Sequence, residues 1–274
     1  MENQPLIQKP RSICTLLKLT LSLFKRFFLP IFCIIAAIHI TSFISIQLIK
    51  PAFWFSKILG IICYLGCIAI YTIGAVAIYK ISVQACSGSA TDCDDVRKTV
   101  KENFWRYIGT FLLVGIVCSL AFIPSILPFV MISLFPSMGF PFMVICKILS
   151  LALTILPLIV CFNAALIFPV MFAEKLSCDA SWIKSKDLMK GNRLRLILAS
   201  LLLGLLNVVV YIVPVVAIVF FETDIKSISW IFEVLKSFSI FFSMIFTTVF
   251  YFDVRGRKEL KNVVAENAEI EILI

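Results

Sequence analysis

The chain has 274 residues, of which 61% are hydrophobic and 15% are charged, with a mean hydropathy of +1.05 and a net charge of +9. A single soluble core of this length cannot bury so much apolar surface, which excludes secreted disulfide frameworks, disordered tails and coiled coils. The basic residues lie in short gaps between apolar runs and not in one patch, which excludes a nucleic-acid-binding module. The composition predicts an all-α, multi-pass membrane protein.

Six apolar runs are long enough to cross the roughly 30 Å hydrocarbon core of a bilayer, which takes about 20 helical residues. The predicted spans are 27–49, 58–79, 108–134, 148–172, 194–221 and 230–252. The third and fourth runs are overlong, which favours tilted or kinked helices. The spans form a polytopic transmembrane helical bundle over 27–252, between an N-terminal segment, 1–26, and a C-terminal tail, 253–274.

Lysine and arginine are distributed unevenly between the two sides of these spans. The segments before the first span, after the second, after the fourth and after the sixth hold 20 of the 25 basic residues, and the other three gaps hold 5. In this count Arg195 and Lys236, near the starts of the fifth and sixth spans, belong to the gaps before them. Because basic loops stay on the cytoplasmic side, both termini are predicted to be cytoplasmic. The first run is too long for a signal-peptide core and lacks a small-residue cleavage site, so we expect a retained anchor.

Three segments on this basic face are predicted to be amphipathic helices lying at the membrane surface: 12–26, 92–107 and 177–193. The second of them opens with acids, continues with bases and carries an apolar stripe, an order that complements the helix dipole. Each segment leads into a pair of spans, and Arg26, Arg106 and Arg195 mark comparable entry points, 80 and 89 residues apart. The chain is therefore predicted to contain three units, each an interfacial helix followed by a transmembrane hairpin.

Two motifs resemble a known family. The stretch SWIKSKDLMKGNRLRLILASLLLGLL resembles the S-x-x-L-x-K-G-N-x-x-R signature before the fifth span of the glycerophosphoryl diester phosphodiesterase membrane-domain-like superfamily. The matching positions are Ser185, Leu188, Lys190, Gly191, Asn192 and Arg195. The run YFDVRGRKE, from Tyr251 to Glu259, resembles the end of that family's last span. The resemblance implies a six-helix fold shared with bacterial membrane proteins, and a location in the bacterial inner (cell) membrane.

The resemblance does not imply phosphodiesterase activity, because the spans and their short gaps account for the whole chain and leave no catalytic domain. The sequence also lacks the motifs of metal-dependent hydrolases, serine hydrolases and nucleotide-binding proteins. Acids on the basic face, such as Glu174 and Asp253, would have to meet in one cleft to support catalysis. We therefore expect no enzyme activity, no metal site and no cofactor.

The basic face is the first candidate for a function. Lysine and arginine on interfacial helices beside aromatic residues suit anionic lipid headgroups, although the same charges could serve topology alone. The candidate headgroup contacts are Lys18, Lys25, Arg26, Lys98, Arg106, Lys190, Arg193 and Arg195. The expected role is that of an accessory, scaffolding or lipid-associating membrane protein. Its partners would be membrane lipids, with membrane proteins or further copies of the chain as alternatives, and not nucleic acid.

Transport of a small or amphiphilic molecule is the alternative. It requires polar groups at mid-membrane depth, and the sequence offers His39, Asn163 and Asn207. Several prolines interrupt the third to fifth spans and could free carbonyls to line a cavity: Pro124, Pro128, Pro157, Pro169 and Pro214. Ordinary interhelical hydrogen bonds would explain the same residues. Transport predicts that the three polar side chains meet at one cavity, whereas ordinary helix packing predicts that they face separate neighbours.

Overall fold

The computed structural model describes residues 11–49, 54–90, 92–135, 139–221 and 225–273. At 156, 206, 207, 209–211, 213–221, 225–229 and 263–273 it describes the helical backbone alone. Within these ranges the chain forms α-helices and no strands, which confirms the all-α prediction. The helices are α1 Ile13–Arg26, α2 Phe28–Ile49, α3 Trp54–Ser87, α4 Cys93–Leu134, α5 Gly139–Ala164, α6 Ile167–Glu174, α7 Cys178–Met189, α8 Arg193–Phe221 and α9 Ile225–Leu273.

Five segments of the described chain are long and apolar enough to cross a membrane: Phe28–Ile49, Trp54–Ser87, Cys93–Leu134, Gly139–Glu174 and Trp230–Asn262. They agree with a multi-pass membrane protein. The predicted fifth span, 194–221, lies in α8 and is not among the five. Most side chains of α8 beyond residue 205 lie outside the described part of the chain, and the six-span count stays a prediction.

Local signals account for where the short helices begin and end. The hydroxyl oxygens of Ser12 and Ser177 accept hydrogen bonds from backbone N–H groups in the first turns of α1 and α7. Asp92 does the same for α4. Gly191, with a φ of +80°, lies between α7 and α8 in the left-handed region that glycine adopts most easily. Segments 12–26 and 177–193 therefore each contain a separate helix, and their position at the membrane surface stays a prediction.

The second predicted surface segment is not a separate helix, because 92–107 and 108–134 together form the continuous α4. Gly109 stands two residues beyond the predicted junction, but it has no positive φ and lies inside α4, so it does not end the helix. At 1.5 Å per residue, its 42 residues extend about 63 Å, roughly twice the hydrocarbon thickness. The first part of α4 therefore extends beyond the hydrocarbon wherever the remainder crosses it.

Three other predicted spans also differ from the observed helices: two helices continue beyond the predicted ends, and one predicted span is broken. Helix α3 continues eight residues beyond the predicted end of the second span, and α9 continues through most of the predicted C-terminal tail. The fourth span is broken between α5 and α6, just before Pro169. The missing N–H of Pro169 and the clash of its ring with the carbonyl of Ala165 explain the break. Pro124, Pro128 and Pro157 lie inside unbroken helices.

Neighbouring helices pair as hairpins, α2 with α3, α4 with α5 and α8 with α9. The buried core lies around the basic segments, where α1, the second half of α3, α6, α7 and the middle of α9 meet. Away from it, α2, α3, α4 and α5 carry many exposed large apolar side chains, such as Phe43, Phe55 and Leu151. Exposed apolar surface along such helices is expected where side chains face lipid.

Candidate functional site

The candidate site is the basic face, which is formed by the short helices, the start of α4 and the middle of α9. Asp253 on α9 is fully buried and binds the guanidinium groups of Arg195 and Arg257, the latter through Nε at 2.9 Å. Its other carboxylate oxygen accepts the backbone N–H of Arg11 at 2.8 Å. The carbonyl oxygen of Arg11 accepts from both arginines. This Asp253 network connects the N-terminal segment, α8 and α9.

A second network surrounds Glu174 at the end of α6. The hydroxyl of Tyr251 donates to Glu174 at 2.7 Å, and Lys184 on α7 forms an ion pair with the same carboxylate. Arg255 donates to the hydroxyl oxygen of Tyr251 at 3.4 Å. Glu174 and Asp253 therefore have separate partners, and both carboxylates are engaged in internal ion pairs.

A surface ion pair joins α7 to α9. Lys258 donates to Asp187, and this hydrogen bond, opposed by partial desolvation, lowers the pKa of the Asp187 carboxyl below its usual value. Both side chains remain close to half exposed. Surface pairs of this kind are weak, so the contact orients α7 on α9 more than it stabilises the fold.

Asn163 lies at the break between α5 and α6, not in the middle of an uninterrupted span. Its amide oxygen accepts from Nη2 of Arg193 at 3.0 Å, and its backbone carbonyl accepts from the hydroxyl of Ser185 at 2.5 Å. The oxygen of Ser185 also accepts the N–H of Leu166 at 3.2 Å. Two backbone groups freed by the helix break are thus satisfied by Ser185, a residue of the first family-like motif.

His39 is elsewhere, on α2, where its Nε2 lies 3.0 Å from the hydroxyl oxygen of Ser237 on α9. His39 and Asn163 therefore have different partners and do not meet. The side chain of Asn207 lies outside the described residues. An open groove of about 370 Å³ runs beside Tyr79 along Ser239, Ser243 and Thr247, and neither His39 nor Asn163 lines it.

The candidate headgroup contacts fall into two groups, three arginines with partners inside the protein and five exposed residues. Arg193 and Arg195 are engaged with Asn163 and Asp253, as described above. Arg106 is half-buried, and its Nη1 donates to the amide oxygen of Asn103 at 3.5 Å. The other five are exposed and form no ion pair with an acid in the described ranges: Lys18, Lys25, Arg26, Lys98 and Lys190.

A polar cavity of about 380 Å³, here called the α4 pocket, lies between the start of α4 and the ends of α3 and α6. Its charged lining residues are Lys80, Asp95, Lys98, Glu102, Arg106 and Lys175. Asp95 binds Nζ of Lys80 at 2.9 Å and accepts from Nε2 of Gln84 at 2.8 Å. Of these six charged residues, Lys98 and Arg106 are among the headgroup contacts predicted from the sequence.

Aromatic packing holds the three helices of the α4 pocket together. The ring of Tyr79 on α3 stacks on Phe168 and Phe172 of α6, with centroids 5.7 and 5.6 Å apart. Tyr107 of α4 packs on Phe168 at 4.8 Å. Such aromatic contacts add to the free energy of burial, so the pocket is built on a packed core.

In the described part of the chain, no three His, Cys, Asp or Glu side chains come close enough together to bind a metal ion. Comparisons with protein-family models, curated proteins and solved structures find no match to this chain. The family resemblance of the two motifs therefore stays a prediction.

Proposed function

We propose that the chain is a non-enzymatic, lipid-associating membrane protein of an accessory or scaffolding kind. In this proposal it spans the membrane six times as three units of an interfacial segment and a hairpin, with both termini in the cytoplasm of a bacterial cell. The interfacial segment of the second unit is the start of α4 and continues into its span. The pairing of helices into three hairpins and the separate surface helices α1 and α7 support this arrangement. The uneven distribution of basic residues supports the orientation.

The observation that carries the proposal is how charge is paired on the basic face. The acids Asp95, Glu174, Asp187 and Asp253 are each engaged by a cation of the protein itself. The exposed lysines of α1 and α4 are left without such a partner in the described ranges. Near an anionic membrane surface, each of these residues contributes about 1 kcal/mol of attraction.

The family-like motifs support a structural role for their residues. Ser185 and Asn192 bind backbone groups near helix ends, and Arg195 and Asp253 bind each other in the buried network. Membership of the glycerophosphoryl diester phosphodiesterase membrane-domain-like superfamily is proposed on these motifs alone, without the catalytic activity of its multidomain members.

The proposal is tested by measuring which lipids stay with the protein. Purified protein is reconstituted into nanodiscs of phosphatidylcholine and phosphatidylglycerol, and the lipids ejected with it are counted by native mass spectrometry. We expect phosphatidylglycerol to be enriched around the wild-type protein. The Lys18→Gln, Lys25→Gln variant should reduce the enrichment, because it removes two exposed cations from the predicted interfacial helix α1.

The matched control is the Lys57→Gln, Lys147→Gln variant, which removes two exposed charges from the opposite predicted face. It should leave the enrichment unchanged. Equal retention of the two lipids by the wild-type protein, or equal losses in the two variants, would contradict the proposal.

A further inference from the structure

Resting on the proposed lipid association, we infer that the α4 pocket binds the phosphate of one anionic phospholipid. The pocket differs from the rest of the basic face because it is a cavity between three helices and not an open surface. Its aromatic packing fixes the positions of α3, α4 and α6 around it. It therefore predicts one defined site, in addition to loose association with surface lipids.

The charges that line the pocket attract an anion. Four lining residues are basic and two are acidic, and one acid, Asp95, is engaged by Lys80. Lys98, Arg106 and Lys175 form no ion pair with any acid in the described ranges. Charge-assisted hydrogen bonds from such groups are strong, and a phosphate has enough acceptor oxygens for several of them.

Lys175 has an unusual backbone for a lysine. It follows α6 with a φ of 55°, the left-handed conformation in which glycine is usual after a helix end. A residue with a Cβ adopts this conformation at a cost of about 1 kcal/mol or more. Lys175 lines the pocket in spite of this cost and brings a positive charge to it, which agrees with an anion-binding role.

The lining also favours a lipid over a free anion. Met171 and Phe172 provide an apolar part of the pocket beside the cations. The neighbouring Trp105 on α4 is 77% exposed, as tryptophan is at the headgroup level of a bilayer. The volume is at the small end of ligand pockets, which suits a headgroup with its acyl chains outside. This combination matches the phosphate–glycerol region of a phospholipid.

The test measures binding to the full-length protein in detergent by native mass spectrometry. The probes are phosphatidylglycerol, phosphatidylcholine and inorganic phosphate, titrated separately. We expect one phosphatidylglycerol to bind, and the Lys98→Gln, Lys175→Gln variant to weaken its binding roughly 30-fold, because two cations are lost. The Arg97→Gln, Lys101→Gln variant removes two exposed charges of α4 outside the pocket and should bind as the wild type does.

Equal weakening by the two variants would overturn the inference while leaving the proposed function intact. Binding of inorganic phosphate as tight as that of phosphatidylglycerol would also overturn it, since the site would then recognise a free anion. If the wild-type protein does not prefer phosphatidylglycerol to phosphatidylcholine, the proposed function fails as well. Thermal unfolding checks each variant, and if the double variant is unfolded, Lys98→Gln alone should weaken binding about fivefold.

Discussion

Asp253 is a fully buried carboxylate that binds two arginines and one backbone N–H group. Because each partner compensates its charge, the group is stable where an isolated ion would be costly. The arginines in turn bind the carbonyl oxygen of Arg11, so the whole arrangement depends on one side chain. This network links the N-terminal segment to α9.

Replacing Asp253 with asparagine should destabilise the protein by about 3 kcal/mol. The substitution keeps the shape but removes the negative charge, leaving Arg195 and Arg257 facing each other without compensation. Thermal or chemical unfolding in detergent measures the change in the free energy of unfolding. The control is Glu259→Gln, which breaks an exposed pair with Arg255 and should cost no more than about 0.5 kcal/mol. Equal changes in the free energy of unfolding would show that the Asp253 network stabilises the protein no more than an exposed ion pair does.

At the scale of elements, glycines set the spacing within the α2–α3 hairpin. A Cβ atom added at Gly74 would lie 2.5 Å from Cγ2 of Ile34, and one added at Gly60 would lie 3.1 Å from the backbone oxygen of Ser45. The hydroxyl of Ser45 donates to the carbonyl oxygen of Gly60 at 2.7 Å. Small residues that let helix backbones approach closely are typical of helix packing in membranes.

The Gly74→Ala variant should be less stable by about 1–3 kcal/mol, because the added methyl group overpacks the hairpin against the β-branched Ile34. Gly66 on the same helix has no atom within 4 Å of an added Cβ, so Gly66→Ala is the matched control. It should be neutral or slightly stabilising, since alanine has the higher helix propensity. Unfolding in detergent compares the two. A Gly74→Ala protein as stable as Gly66→Ala would mean that α2 and α3 are not in close contact there.

The predicted interfacial helices differ in how they join the spans, and the reason is local. Phe27 ends α1, and Gly191 with its positive φ separates α7 from α8, whereas Gly109, three residues after Arg106, has no positive φ and lies inside α4. Amphipathic patterning is the same in a separate surface helix and in the first turns of a long one. Hydropathy therefore could not predict that α4 is continuous, and the sequence alone does not show that Gly109 lies inside a helix and not at a helix end.

At the scale of the whole molecule, packing is dense around the basic face and sparse along the far ends of the hairpins. The buried core there includes Leu16, Tyr251 and Met189, which belong to three different helices. Because a bilayer solvates apolar side chains, the exposed parts of α2 to α5 need no further protein around them. The protein is therefore best described as a packed basic end from which helical hairpins extend.

Reporter-protein fusions distinguish the proposed six spans from five. A fluorescent protein fused after residue 274 should fluoresce, and alkaline phosphatase fused there should be inactive, because both termini are expected in the cytoplasm. Phosphatase fused after residue 137, in the gap between α4 and α5, should be active. With five spans, the termini would lie on opposite sides, so an active phosphatase at the C-terminus together with a cytoplasmic N-terminus would overturn the six-span arrangement.

Hydropathy and charge order were sufficient to predict an all-helical protein with several long apolar helices. The described residues confirm the helical fold and the apolar helices. Serine caps at Ser12 and Ser177 and the glycine at 191 are equally readable, since each acts on neighbours in the chain. These features depend on the properties of residues a few positions apart. A bilayer strengthens the preference for helix within the spans, because every backbone N–H and C=O group there must form a hydrogen bond within the protein.

The ion-pair partners of the charged residues could not be predicted from neighbouring positions in the sequence. Arg11 and Asp253 are 242 positions apart, and the acid that Lys80 binds lies on the next helix. Many pairings of 25 basic with 16 acidic residues are equally compatible with the sequence. Packing of α3, α4 and α6 leaves Lys98 and Lys175 beside one cavity, while packing of α8 on α9 buries the charge of Arg195. Which cations are paired and which stay exposed therefore follows from how the helices meet, because burial and charge compensation are properties of the folded chain.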